Sequence, residues 1–295
     1  MSNTSLIIEE RAADIGNFLV GRLLPFRQKR SVGPFVFLDH MGPAELPAEK
    51  DFDILPHPHI GLSTLTYLFE GSIMHRDSIG SVQEIKPGAV NWMTAGKGIV
   101  HSERTPDSLR GKPKKMHGLQ IWVALPKDKE EMEPGFSHID AKDLPSIDAE
   151  SVRMKLIAGK ALGHESPVPV YSELFLLEIV SEKSHRLNLS ESLYGEIAIY
   201  VLEGTVQTEN QVLEKGKLLM AKNSELCSFQ IGAHSKIFVF GGEPFPEERF
   251  INWNFVSSDR DRIKKARKDW IDQNLDAFSK IPGNDKDYVP YPSLK

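Results

Sequence analysis

Two short triplets hold the side chains best suited to binding a metal ion, His57-Pro58-His59 and His101-Ser102-Glu103. In extended backbone, residues two apart project to the same side, so each triplet offers a pair of donors in one direction. If the two segments are neighbouring strands of a barrel, three imidazoles and one carboxylate converge on a point. Nitrogen and oxygen donors without thiolate suit Fe(II), Mn(II), Ni(II), Cu(II) or Zn(II). Four protein ligands on an octahedral ion leave two positions open, as binding of a substrate or of O2 requires. A single HxH is more often a pair of solvent-facing strand residues or of hydrogen-bonded core histidines. Two triplets flanking a strand-rich segment, with turn glycines at Gly71, Gly88, Gly96 and Gly98, favour the metal. Gly96-Lys97-Gly98 misses the spacing of a phosphate loop and reads as a tight turn that aims His101. Ser102 has no base arranged to make it a nucleophile and reads as a spacer.

The elements that must position these residues are short strands. Phe35–Leu38, Thr64–Phe69, Ala89–Met93, Leu119–Val123, Leu174–Val180, Ile197–Leu202 and Lys236–Phe240 are rich in β-branched and aromatic residues. Glu70-Gly71, Pro87-Gly88, Glu203-Gly204 and Gly241-Gly242 punctuate them as turns. That pattern predicts a mainly β protein, a sandwich or barrel. The exception is an amphipathic helix from Ser258 to about Phe278. Ser258 and Asp261 stand as a capping box, and Ile263, Ala266, Trp270, Ile271, Leu275 and Phe278 form its apolar stripe. Pro282-Gly283 stops it. Its cations, Arg260, Arg262, Lys264, Lys265, Arg267 and Lys268, are interspersed with Asp259, Asp261 and Asp269, which favours a salt-bridged solvent face over a docking patch.

An internal repeat organises the chain. Tyr67-Leu68-Phe69-Glu70-Gly71 returns as Tyr200-Val201-Leu202-Glu203-Gly204. The halves read as copies of one β-barrel unit, with the boundary in the acidic stretch between Lys127 and Asp148, which has the composition of a linker. At the offsets of His57 and His59 from Gly71, the second copy has Ser190 and Ser192. At the offsets of His101 and Glu103 from Gly88, it has Phe229 and Ile231. One copy is therefore expected to hold a metal and the other not.

Composition narrows the setting. The 295 residues include 36 Lys plus Arg against 41 Asp plus Glu, a net charge of −5 that supplies no general attraction to nucleic acid or an anionic membrane. One cysteine, Cys227, excludes an intrachain disulfide framework and a Cys-rich metal site. The N-terminal sequence has no basic region followed by an apolar core, and no apolar run reaches the length of a transmembrane helix. A cytoplasmic protein is expected, or a nuclear one in a eukaryote.

Four stretches, VGPFVFLDHMGP (32–43), HPHIGLSTLTYLFEG (57–71), MHRDSIGSVQEIKPGAVNWMTAGKGIVHSE (74–103) and FGGEPF (240–245), resemble the pirin family, two-barrel members of the cupin superfamily. The resemblance implies two tandem cupin (jelly-roll-like) β-barrels. Residues 1–140 would form the metal-binding N-terminal barrel, and 141–295 a metal-free C-terminal barrel ending in the helix. It implies one ion, iron in the family, bound by His57, His59, His101 and Glu103. The glutamate that many cupins carry shortly after HxH is absent; Ser63 and Thr64 stand there.

Several pirins resemble quercetin 2,3-dioxygenases, which implies cleavage of a flavonol by O2 with release of carbon monoxide. Glu103 would then serve as ligand and general base together, and a small aromatic substrate would need an apolar cleft, for which Trp92, Met93, Phe35 and Phe37 are candidates. Other family members act through protein partners, as redox-responsive co-regulators of transcription, and that alternative stands beside the enzyme. His75 is a candidate to support a ligand from behind. His40 and His117 read as structural.

Overall fold

The computed structural model describes residues 6–15, 18–149, 151–190, 192–209, 211–222, 226–283 and 287–292. All seven segments expected as strands fall on strands, with Ala89 one residue before Val90–Thr94; among the others are Leu62–Glu70, Lys114–Ala124 and Glu196–Glu203. Gly71 and Gly204 close equivalent turns at φ +86° and +75°, a region that only glycine enters without strain.

The chain forms two compact units. In the first, residues 12–20, 39–138 and 246–295 come together. Its small sheet runs in the order Asp53–His59, Ile99–Arg104, Ile73–Asp77, Val82–Ile85. Behind it, Leu62–Glu70 sits between Val90–Thr94 and Lys114–Ala124 in a larger antiparallel sheet. The second unit comprises residues 1–11, 21–38 and 139–245. Its small sheet repeats the same order with His185–Asn188, Ser228–Ile231, Thr205–Gln207 and Val212–Glu214. Its larger sheet includes Leu174–Ser181, Ser235–Gly242 and Glu196–Glu203 as neighbours. Each unit thus has the paired antiparallel sheets of a jelly roll.

The grouping differs from a simple division at residue 140. The break at His138/Ile139 lies within the expected stretch, but the C-terminal 50 residues group with the first unit. The physical reason is the helix's apolar stripe. Ile263, Ala266 and Trp270 are buried with Ile60, Val100 and Phe255, two of which directly adjoin the histidine triplets. The strand Leu6–Glu9 pairs with Lys217–Lys222 and so belongs to the second unit. Amphipathic periodicity identifies a face that must be covered but not the surface that covers it.

The helix spans Arg260–Ile271, shorter than expected, and its N-cap is Asp259, whose carboxylate accepts from the Asp261 amide. Ser258 stands one residue before the cap, and its amide donates to Glu130 Oε1 at 2.7 Å. At the other end Gln273 turns left-handed at φ +53°, leaving Ile271 and Leu275 more than half exposed while Phe278 packs into the core. No helix among the described residues is long and apolar enough to cross a membrane.

The basic face is internally partnered. Lys264 pairs with Asp261, Lys265 with Asp269 and Lys268 with Asp272. Arg260 lies over the ring of Phe250, Arg267 over that of Tyr291, and Arg262 reaches Glu130.

The acidic stretch read as a linker contains a buried pin. Glu130 is 3% exposed and accepts from the Ser257 hydroxyl at 2.6 Å. Arg249 Nε stands 3.3 Å from its carboxylate and Arg262 Nη1 3.4 Å. The buried carboxylate is compensated by two guanidiniums, and removing it would leave Arg249 with Glu247 and Arg262 with Glu131, both far more exposed than Glu130. Glu130→Ala is expected to cost about 3 kcal/mol, read as a lower urea midpoint. Stability within 0.5 kcal/mol of the parent would show that the pin carries no weight.

Candidate metal centre

The two triplets are neighbouring antiparallel strands. Ile99 stands opposite His59, Val100 opposite Pro58 and His101 opposite His57. The register then slips, and Glu103 pairs with Ile54 rather than Leu55. Leu55 and Pro56 therefore oppose Ser102 alone, a β-bulge on the histidine-bearing strand. Proline, with no N–H to give the ladder, suits that position.

The bulge has a chemical consequence. It frees the Leu55 carbonyl, which lies 2.8 Å from His57 Nδ1. His59 Nδ1 is 3.2 Å from the Asn254 carbonyl. A carbonyl only accepts, so both imidazoles carry their proton on Nδ1 and turn a bare Nε2 inward. His59 Nε2 and His101 Nε2 are 3.1 Å apart. His57, His59 and His101 form a buried group whose ligand-capable atoms all lie within 4.8 Å of one another. Lone pairs converging at that distance repel one another unless a cation or proton lies between them, and the donor set fits a divalent ion.

Burial keeps these rings neutral. Desolvation pushes the His57 pKa down to about 4, against a weaker upward pull from the Leu55 carbonyl. Desolvation also holds His59 and His101 well below the ordinary histidine value, reinforced by their neighbouring imidazoles. Neutral imidazole is the form that ligates.

Glu103, the fourth expected ligand, lies outside the histidine group. It is buried on the same strand as His101, and Thr66 Oγ1 donates to its Oε1 at 3.1 Å. Desolvation raises its pKa, while His75 and the Thr66 bond pull the other way. The result is a carboxylate that takes up a proton more readily than an exposed one. Thr66 also contacts Gln120 Oε1 at 3.0 Å.

The larger sheet supplies the wall behind Glu103. Thr64 is flanked by Met93 and Trp122, and Thr66 by Asn91 and Gln120. These six share one face, an apolar row beside a polar one. Met93 thus stands on the site face as expected. Trp92 does not: it pairs with Leu65, one residue out of phase, and faces the other way. Phe35 packs on Phe240 and Phe37 lies under Arg22, both in the second unit. The aromatic beside the histidines is Trp122, whose ring meets His59 edge-on at 5.1 Å. Strand alternation places Trp122 in phase with Gln120, but without pairing partners the phase has no direction.

His75 joins the site. Its ring stacks on Phe136 at 4.4 Å, and its Nδ1 is 3.4 Å from His101 Nδ1. Its Nε2 bonds to Asp77 Oδ2 at 3.0 Å. Burial opposes the charge on Asp77, but the bonds from His75 and the Ser81 amide hold its pKa below the ordinary carboxylate value. Sequence reasoning missed Asp77 and Phe136. The HxD spacing of His75 and Asp77 was the available signal for the first. His40 and His117 form a separate buried pair, their Nε2 atoms 2.9 Å apart.

The second unit is an internal control. Its register sets Leu187 opposite Phe229 and Val206 opposite Ile231, as His57 faces His101 and His75 faces Glu103. The Leu189 amide bonds to the Cys227 carbonyl, which puts Leu189 where His59 stands. Phe229 and Ile231 thus occupy the expected equivalent positions. On the partner strand Leu187 and Leu189 do so, rather than Ser190 and Ser192, because the loop before Gly204 is longer. All five side chains belong to one apolar core, and burying each contributes about 1.5–3 kcal/mol. That unit closes on hydrocarbon where the first closes on imidazole and carboxylate.

Paired jelly-roll sheets in tandem, one with a histidine group at the centre of its small sheet, define a two-domain cupin. Residues 17–123 match the pirin family model, and 176–276 match that of the pirin C-terminal cupin domain. A pirin-like protein of Caulobacter vibrioides is 46% identical, over 97% of this chain and 99% of its own. A Pseudomonas aeruginosa protein provisionally named a quercetin 2,3-dioxygenase is 36% identical, over 89% of this chain and 82% of its own. The crystal structure of a quercetin 2,3-dioxygenase from Acinetobacter baumannii superposes with a TM-score of 0.89 at 33% identity, covering 99% of this chain and 96% of that one. The chain belongs to the pirin family.

His101→Ala is expected to abolish retention of a divalent ion after dialysis while far-ultraviolet circular dichroism stays unchanged. Stoichiometric metal in the folded variant would remove His101 from the ligand set. Because burial depresses the histidine pKa values, acid should release the ion only as pH falls toward 4. Ion release with a midpoint near 6.5 would show that the rings titrate as exposed histidines do.

Proposed function

We propose that the protein is a metal-dependent dioxygenase that cleaves a flavonol-like aromatic substrate with O2 and releases carbon monoxide. The observation that carries this reading is the buried convergence of His57, His59 and His101, in a chain similar to proteins named for that activity. Glu103 completes the ligand set in this reading, and Fe(II) is the ion that the family resemblance favours.

Bound there, the ion supplies a Lewis acid and a common meeting point for a substrate oxygen and O2. The chain's own residues do the rest. A flavonol hydroxyl coordinates well only after losing its proton, and Glu103 is the carboxylate beside the histidines to receive it. Burial raises its proton affinity, and Thr66 holds one of its oxygens. Met93 and Trp122 offer the apolar surface that a flat ring needs, and Asn91 and Gln120 offer polar groups along its edge. The helix cations already have partners within the same unit, so the basic face lends no support to a docking role.

The test is oxygen uptake and carbon monoxide release by Fe(II)-reconstituted protein given quercetin. Coupled uptake and release is the expected result. A fully loaded protein that consumes no oxygen across a panel of flavonols would overturn the reading. Glu103→Gln is expected to retain much of the metal and to lower kcat by about 100-fold or more, the contribution of a positioned base. Unchanged turnover would exclude Glu103 as that base.

A further inference from the structure

We infer that the outer face of the first unit's small sheet holds a phosphate-type oxyanion between Arg76 and Arg104. This site lies on the side of the sheet away from the histidines and does not depend on the metal reading.

Strand alternation separates the two faces. His101 pairs with Asp77 and Glu103 with His75, and these four share the face that carries the histidine group. Ser102 pairs with Arg76 and Arg104 with Met74, and these four share the opposite face. The two arginines are thus diagonal neighbours on adjacent strands, within reach of each other for side chains of that length. Both are partly buried, and neither forms an ion pair among the described residues.

Arg104 carries the sharper signal. Its Nη2 is buried without a hydrogen-bond partner, a condition that no other side-chain nitrogen or oxygen among the described residues shares. A guanidinium does not lose its charge in a protein, so the unmet donor belongs to a cation. Leaving such a group unmet costs more than leaving a neutral one.

The nearby carboxylates are committed elsewhere. Asp53 stands directly opposite Arg104 on the other neighbouring strand. Its Oδ1 accepts from the Thr105 amide and from Arg110 Nη2, both at 3.0 Å. Its Oδ2 accepts from Arg110 Nη1 and Nη2, both at 3.1 Å. Those bonds fill the lone-pair positions of a carboxylate. Asp51 is held by Arg110 and Lys114. Glu84 lies two strands from Arg104, beyond Met74, and its Oε1 accepts from the Ser72 hydroxyl at 2.6 Å. Arg76 has Ser102 on one side and Val82 on the other, neither of them charged.

Two cations placed diagonally repel unless an anion lies between them. One guanidinium fork satisfies a carboxylate, whereas a phosphate-type group has oxygens enough for two. The pair therefore selects a tetrahedral oxyanion.

The experiment is a phosphorus NMR titration of inorganic phosphate with full-length protein, with and without a bound divalent ion, at matched ionic strength. Saturable binding at a single site per chain is expected in the parent, unaffected by stripping the ion with a chelator. Arg76→Gln and Arg104→Gln are each expected to weaken it by about tenfold or more. Arg104→Lys, which keeps the charge without the fork, should fall between them and the parent. Acetate should displace phosphate poorly. Absence of saturable binding in the parent would overturn the proposal, as would unchanged affinity in both glutamine variants. Binding lost on chelation would place the phosphate on the metal instead, and acetate competing on equal terms would refute the tetrahedral class. The parent titrations decide these points even if a variant fails to fold.

Discussion

Each imidazole can present Nε2 to a common centre only if something else holds the proton on its Nδ1. Much of the first unit's local irregularity serves that requirement. The bulge at Leu55 and Pro56 releases a carbonyl for His57. The C-terminal segment brings the Asn254 carbonyl to His59. Burial adds the second half of the constraint, because it makes protonated rings costly and leaves neutral donors.

Two copies of one scaffold show what this arrangement costs and replaces. Strand order agrees in the two small sheets, and His57 faces His101 as Leu187 faces Phe229, but the second unit's pair continues to Ile231 and His185 without the bulge that offsets Glu103. The side chains at five equivalent points differ as well. Leu187, Leu189, Val206, Phe229 and Ile231 interlock as hydrocarbon and need no partner. The polar set of the first unit needs a hydrogen-bond acceptor or donor for nearly every atom, and that need propagates outward to Thr66, Gln120 and Asp77.

The C-terminal segment is therefore part of the site's support as well as a cover for the core. Its helix buries apolar residues against Ile60 and Val100, the neighbours of His59 and His101. Glu130, with Arg249 and Arg262, ties the segment to the stretch that follows the first unit's last long strand. Loss of these contacts would expose the histidines to water and raise their pKa values toward those of free imidazole.

The amino-acid sequence by itself determined the mainly β character, the duplication, the histidine triplets and the helix's salt-bridged face. These are local facts: alternation, turn glycines, donor spacing and charge order are written in neighbouring residues. Phe229 and Ile231, apolar where the first copy has His101 and Glu103, were found by counting alone. Only the tertiary structure decided what depends on pairing between distant segments. Leu187 and Leu189, rather than Ser190 and Ser192, occupy the equivalent positions because loop length shifts the count. Trp122, rather than Trp92, faces the histidines because one residue of register reverses a strand's two faces. The helix belongs to the first unit because a stripe of apolar residues states that it must be covered and leaves its partner to the fold. The tautomer of His59 is furthest from the sequence, since it is set by the Asn254 carbonyl, which folding brings from 195 residues along the chain.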